Sequence, residues 1–133
     1  MNVAEMLSAY PRDLGDVDQA TLTRCIEECL RCAQTCTACA DACLSEDMVA
    51  EMVKCIRTDL DCADICETTA RVLSRHTGYD ANLTRAIVEA CAQACASCAD
   101  ECEQHTKHSH CALCAQACRA CERACRELLA TLG

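Results

Sequence analysis

Eighteen cysteines set three and four residues apart constrain this chain more than any other feature of its sequence. They fall in four runs: Cys25, Cys29, Cys32, Cys36, Cys39 and Cys43; Cys55, Cys62 and Cys66; Cys91, Cys95, Cys98 and Cys102; and Cys111, Cys114, Cys118, Cys121 and Cys125. Alternating steps of three and four bring a side chain back to the same face of an α-helix. Each run is therefore the inward stripe of a bundle helix, with sulfur where leucine or isoleucine ordinarily packs. Four runs predict four helices, each pointing one line of sulfur at a shared axis.

The remaining residues agree with an all-α fold. Three Gly and one Pro leave little material for hairpins, and good helix formers such as Ala, Leu, Glu, Arg and Gln fill the spaces between the cysteines. Phe and Trp are absent and Tyr10 and Tyr79 are the only aromatic residues, so cysteine has to supply much of the core. A length of 133 residues suits one domain, 1–133. The expectation is an antiparallel four-helix bundle preceded by a short helix at about 2–10, marked by Val3, Met6, Leu7 and Tyr10 and ended by Pro11. The long helices are expected at about 18–44, 46–75, 80–104 and 109–132, with short, antiparallel connections. Ser45 reads as the N-cap of the second, with Glu46 and Asp47 in its first turn, and Gly78 as its stop. The second stripe then runs Met48, Met52, Cys55, Asp59, Cys62, Cys66. Ile26, Leu30, Leu44, Val49, Val53, Ile56 and Leu60 are expected to pack helix against helix.

Several uses of so much cysteine can be weighed on geometry. Residues at i and i+3 or i+4 have Cβ atoms about 5–6 Å apart, whereas a disulfide needs about 4 Å, so crosslinks within a helix would break it. The first residues show no basic, apolar and small-residue sequence of a secretion signal, which sets the expectation of a cytoplasmic, reducing location. Cysteine used as a small hydrophobe would leave a loosely filled tube costing several kcal/mol in missing contacts. Pairs such as Cys29-Leu-Arg-Cys32 and Cys118-Arg-Ala-Cys121 lie inside helical periodicity with no adjacent Gly, unlike zinc knuckles or the loops that hold iron-sulfur clusters. A net charge of −9 disfavours nucleic acid, and no apolar run is long enough for a membrane span.

A thiolate-lined tube selects soft metals. Two metal-sulfur bonds of about 2.3 Å span about 4–5 Å, within reach of cysteines one helical turn apart. No Lys or Arg falls on the stripes to neutralise an anionic cluster. Each Cu(I) that displaces one thiol proton leaves the core's charge unchanged, whereas stacked tetrathiolate zinc sites would each carry −2. Cu(I) at close to one ion per cysteine is the favoured filling. A zinc or cadmium buffer of metallothionein type is the alternative. A thiol oxidoreductase fits poorly, because no cysteine stands apart with basic neighbours to lower its pKa, and the chain is not expected to be an enzyme.

Antiparallel helices bring Cys43, Met48, Met52, Cys102, His105, His108, His110 and Cys111 to one end. His105 continues the third stripe and His108 the fourth, so this end is expected to admit Cu(I), with Met48 and Met52 as ligands or near-ligands. Asp59, a carboxylate within a sulfur stripe, can accept thiol hydrogen bonds, steer a metal or lean to the rim. Leu22, Leu73, Ile87, Leu128 and Leu129 gather at the opposite end, which the N-terminal helix is placed to cover, and His76 is expected on the surface.

The cysteine runs 25–43, 91–102 and 111–125, the shorter set of Cys55, Cys62 and Cys66, and the His-containing turn before Cys111 together resemble the bacterial copper storage proteins, specifically their cytosolic branch. The match covers nearly the whole chain. The resemblance implies a homotetramer of four-helix bundles that stores many Cu(I) ions through cysteine thiolates. It also implies that the stored copper buffers the cytosol or supplies copper enzymes, and leaves the donor and acceptor of that copper unidentified.

Overall fold

The computed structural model describes residues 1–132 and contains five α-helices: α1 (Val3–Ser8), α2 (Gln19–Leu44), α3 (Val53–Leu73), α4 (Ala81–Cys102) and α5 (Ser109–Thr131). Short 3-10 turns, Val49–Met52 and Glu103–His105, precede α3 and follow α4. The expected four-helix bundle with a short N-terminal helix is present. At 1.5 Å per residue α2 spans about 39 Å and sets the length of the bundle.

Local sequence fixes the helix starts. Asp18 caps α2, accepting the Ala20 N–H at 3.1 Å and the Thr21 hydroxyl at 2.8 Å, and Asp80 caps α4 by accepting the Leu83 N–H at 3.0 Å. These bonds satisfy donors that the first turn of a helix leaves free. Ahead of α2 the chain reverses at Gly15, whose φ of 83° is open to glycine at no steric cost, with the Asp13 carboxylate accepting the Gly15 N–H at 2.8 Å.

The second long helix departs from the expected 46–75. Ser45 is the C-cap of α2, its N–H donating to the Ala42 carbonyl at 3.0 Å, and the Glu46 N–H donates to the Cys43 carbonyl at 3.2 Å. The chain is still turning through 45–48, and regular α-helix starts only at Val53. Met48 and Met52 therefore sit in a turn and a 3-10 segment rather than on a helical stripe. α3 also stops earlier than Gly78, at Leu73, where the Ser74 hydroxyl donates to the Ala70 carbonyl at 2.7 Å. Gly78, at φ 65°, belongs to the turn that follows.

α2 packs on α3 and α5, and α4 packs on α3 and α5, so the four helices form a ring with α2 facing α4 and α3 facing α5 across the axis. Cross-helix sulfur contacts give the direction of each neighbour. Cys25 meets Cys125 and Cys39 meets Cys111, so α2 and α5 run opposite ways; Cys55 meets Cys102 and Cys66 meets Cys91, so α3 and α4 do as well. All 18 cysteines are buried and free.

The far end is built as expected, with Leu22, Leu73 and Leu128 buried, Ile87 and Leu129 packed against them, and Leu7 of α1 joining the same cluster. A cavity of about 380 Å³ lies beside this plug, bordered by Val17, Leu22, Leu128 and His76. His76 is half-buried rather than on the surface, edge-on to the Tyr10 ring at 5.5 Å, and its Nε2 is enclosed without a partner. Burial holds its pKa below the ordinary histidine value.

The aliphatic flanks divide. Ile26 is buried and Leu30 and Ile56 pack on the core, but Leu44, Val49, Val53 and Leu60 are exposed and do not pack helix against helix within the chain. The stripes leave no room for them inside, because the sulfurs already occupy the inward face.

Candidate metal centre

The centre is the bundle axis itself. Sulfur atoms from all four helices lie 3.6–4.0 Å from neighbours through the middle of the bundle, and sets of ligand atoms within 4.8 Å of one another extend this ladder to both ends. Cys32 contacts Cys36, Cys62 and Cys118 at 3.7, 3.8 and 3.7 Å, and Cys36 contacts Cys98, Cys114 and Cys118 at 3.9, 3.6 and 3.6 Å. Further toward the leucine plug, Cys66 contacts Cys91, Cys95 and Cys121 at 3.7, 3.6 and 4.0 Å, and Cys25 and Cys125 close the series at 3.8 Å.

These spacings bear on coordination. Two bonds of about 2.3 Å set about 120° apart place sulfurs about 4.0 Å from each other, and collinear bonds place them about 4.6 Å apart. Pairs within one helix, Cys32 with Cys36, Cys62 with Cys66 and Cys98 with Cys102, are 3.7, 3.8 and 3.9 Å apart. The ladder at rest is spaced for bent or trigonal sulfur coordination, and these pairs have to open by about 0.7–0.9 Å for the linear two-sulfur geometry. Sets of four ligand atoms within 4.8 Å of one another overlap: Cys32 and Cys62 belong both with Cys66 and Cys95 and with Cys36 and Cys118. Sulfurs shared in this way suit bridging thiolates and a polynuclear filling better than a row of independent sites.

Asp59 takes one place in the ladder and is fully buried. Its Oδ1 accepts the thiols of Cys98, Cys114 and Cys102 at 3.0, 3.2 and 3.5 Å, which selects the first of the three roles open to it in the sequence. Burial, then the Cys114 and Cys98 sulfurs, push its pKa up to about 10. Its Oδ2 has no partner, and a neutral carboxyl places its proton there.

The histidine end of the bundle carries donor atoms of other kinds. Cys39, Cys43, Cys111 and His110 form a set within 4.8 Å, with His110 Nδ1 at 3.4 Å from Cys39 Sγ and 3.6 Å from Cys111 Sγ. Burial pushes the Cys111 thiol up to about 11 and raises Cys43 as well. His108 stacks on His110 with ring centres 5.7 Å apart, and its Nε2 is enclosed without a partner. His105 is partly buried at the end of the third stripe. Met52 is fully buried in the core cluster, whereas Met48 is 38% exposed.

Two residues at this end were not among the sequence-derived candidates. Glu101, 7% exposed, accepts His105 Nε2–H at 2.9 Å, and Glu46 accepts His110 Nε2–H at 2.7 Å. Glu101, in the last turn of α4, and His105, in the 3-10 turn that follows it, are four apart, a spacing visible in the sequence. Glu46 and His110 are 64 apart, and only the turn at 45–48 brings them together. The hydrogen bond from His110 holds Glu46 below the usual carboxylate range.

The copper storage protein family model matches residues 18–130. Among solved structures, the copper storage protein Ccsp of Streptomyces lividans loaded with 10 copper equivalents is 67% identical, covering 96% of this chain and 98% of that one at a TM-score of 0.95. A structure of copper loading to a cytosolic copper storage protein from Streptomyces lividans, with five coppers, is 69% identical over 84% of this chain and 93% of that one, TM-score 0.83. The Cu(I)-bound copper storage protein BsCsp3 is 36% identical over 79% of this chain and 94% of that one, TM-score 0.71. No curated protein sequence matches. With a sulfur ladder along the axis of its bundle and a family match that includes every one of its 18 cysteines, this chain belongs to the copper storage proteins.

Proposed function

We propose that this chain stores and buffers Cu(I) in the cytosol, holding close to one ion per cysteine along the bundle axis, with residues 1–133 acting as one storage domain and no catalytic role. The observation that carries the reading is the run of sulfurs 3.6–4.0 Å apart through the middle of the bundle, continued toward both ends by sets of ligand atoms within 4.8 Å of one another, with Cu(I) replacing thiol protons so that the core gains no charge. His105, His108 and His110, with Met52 and the more exposed Met48, receive copper at the open end; Asp59 is an acceptor for thiols rather than a rim carboxylate. The partner is copper itself, passed by donor and acceptor proteins, with no nucleic acid or membrane involved. Among the described residues no helix is long and apolar enough to cross a membrane.

Val53 and Leu60, seven residues apart on one face of α3, are 64% and 47% exposed, with Leu44 and Val49 nearby in sequence. An apolar strip of this kind supports assembly into the homotetramer that the family resemblance implies.

Titration with Cu(I) against a strong chromogenic chelator tests the reading. Saturation near the number of cysteines is expected, with Zn(II) saturating at a quarter to a half of that because each zinc takes up to four thiolates. Saturation after only a few Cu(I) ions overturns it, and a zinc capacity equal to that of copper favours the metallothionein-like alternative.

A further inference from the structure

At the histidine end of the bundle, His105 and His110 each have one ring nitrogen hydrogen-bonded to a carboxylate, and His108 lies close to one of the same carboxylates. His110 Nε2 lies 2.7 Å from Glu46 Oε2, while its Nδ1 faces Cys39 and Cys111 at 3.4 and 3.6 Å. His108 Nδ1 lies 3.2 Å from the same Glu46 oxygen, and its Nε2 is enclosed without a partner. His105 Nε2 lies 2.9 Å from Glu101 Oε2, and Lys54 Nζ is 3.8 Å from the other oxygen of that carboxylate.

In a neutral imidazole one nitrogen carries the proton and the other a lone pair, and only the lone pair can bind a metal. A carboxylate oxygen repels a lone pair and accepts an N–H, so the nitrogen facing it is the protonated one. Glu46 thus selects the Nε2–H tautomer of His110, which frees Nδ1 toward the sulfurs; the His108 ring comes within 3.2 Å of the same oxygen without hydrogen-bond geometry. Carboxylates behind metal-bound histidines fix ring orientation and raise ligand basicity in the same way.

We propose that Glu46 is a positioning residue for copper loading: it presents His110 Nδ1 to the first ions alongside Cys39, Cys43 and Cys111, and Glu101 does the same for His105. The proposal rests on the histidines taking part in loading.

The test uses the full chain and Cu(I) itself. Stopped-flow loading at about one Cu(I) per chain is measured for wild type, Glu46→Ala, Glu46→Gln, His110→Ala and the Glu46→Ala/His110→Ala double variant. Long-range proton-nitrogen correlation spectra of the apoproteins report the tautomers. Expected are about tenfold slower loading for Glu46→Ala, recovery in Glu46→Gln, whose amide oxygen still accepts an N–H, and no further loss when Glu46→Ala is added to His110→Ala. The spectra should show His110 as Nε2–H in wild type, with a mixture of its two tautomers in Glu46→Ala. Full copper capacity in each Glu46 variant verifies an intact bundle. Unchanged loading and unchanged tautomers in Glu46→Ala, with His110→Ala slow, overturn the role of Glu46 alone. Unchanged loading in His110→Ala overturns the histidine reading beneath it.

Discussion

Asp59 Oδ1 accepts the Cys98 thiol at 3.0 Å, so a carboxyl group stands inside the sulfur ladder as a hydrogen-bond acceptor. The folded apoprotein holds the Asp59 proton up to about pH 10, whereas the ordinary value is 3.8. Between these values the native state keeps a proton that the unfolded state has released, so the Asp59 contribution to stability is fully present below the lower value and is lost as pH rises toward the upper one. Apoprotein stability should therefore fall with rising pH across the whole interval from 3.8 to about 10. Asp59→Asn should remove up to one proton's worth of that slope, about 1.4 kcal/mol per pH unit. Urea unfolding of both proteins at several pH values measures the difference; parallel profiles would refute the assignment.

Cys36 touches four other thiols, those of Cys32, Cys98, Cys114 and Cys118. Cys36→Ala removes one buried sulfur and should cost the apoprotein about 1 kcal/mol. Copper capacity should fall by roughly one to two ions, since several bridging arrangements lose a member. Chemical denaturation and chelator-competed titration read the two effects separately.

Ions bound at Cys43 and Cys111 should each release about one proton, because burial keeps these two thiols protonated at neutral pH. Titration in weak buffer with a pH indicator gives the ratio. A ratio near zero would mean that thiolates pre-exist in the core.

Copper should also raise the thermal unfolding temperature progressively, since ions held only by the native arrangement of sulfurs stabilise it by mass action. Calorimetry at increasing loading checks this, and a transition indifferent to copper would leave the ladder a structural core only.

Val53→Glu together with Leu60→Glu should dissociate an assembled form without unfolding the helices, because both side chains are exposed in the chain and on one face of α3. Sedimentation analysis and circular dichroism distinguish this from loss of fold.

The helical parts of the fold were legible because every stripe obeys one period, and Asp18 and Asp80 cap helices as their chemistry predicts. The segment 45–52 was not. Ser45, Glu46 and Asp47 carry the composition of a helix N-terminus, but the Ser45 and Glu46 N–H groups close the last turn of α2 instead, and Glu46 meets His110 64 residues away. The same limit applies to Val53 and Leu60: periodicity places them beside the stripe, but the width of the buried face, set by sulfur packing, decides that they remain outside. His76 likewise reads as a surface residue until Tyr10 of the N-terminal segment folds over it.

The spacing of the ladder has one more consequence. From Cys43 and Cys111 through Cys39, whose thiol neighbours include Cys102 and Cys114, and on through Cys36, Cys32, Cys62 and Cys66 to Cys121, each sulfur has the next within reach of one bridging ion. An ion can advance by exchanging a single bond at a time while its remaining bonds hold, so no step requires a bare cation in a low-dielectric interior. The core acts as a connected conducting medium, in which capacity follows the number of sulfurs and mobility follows their overlap.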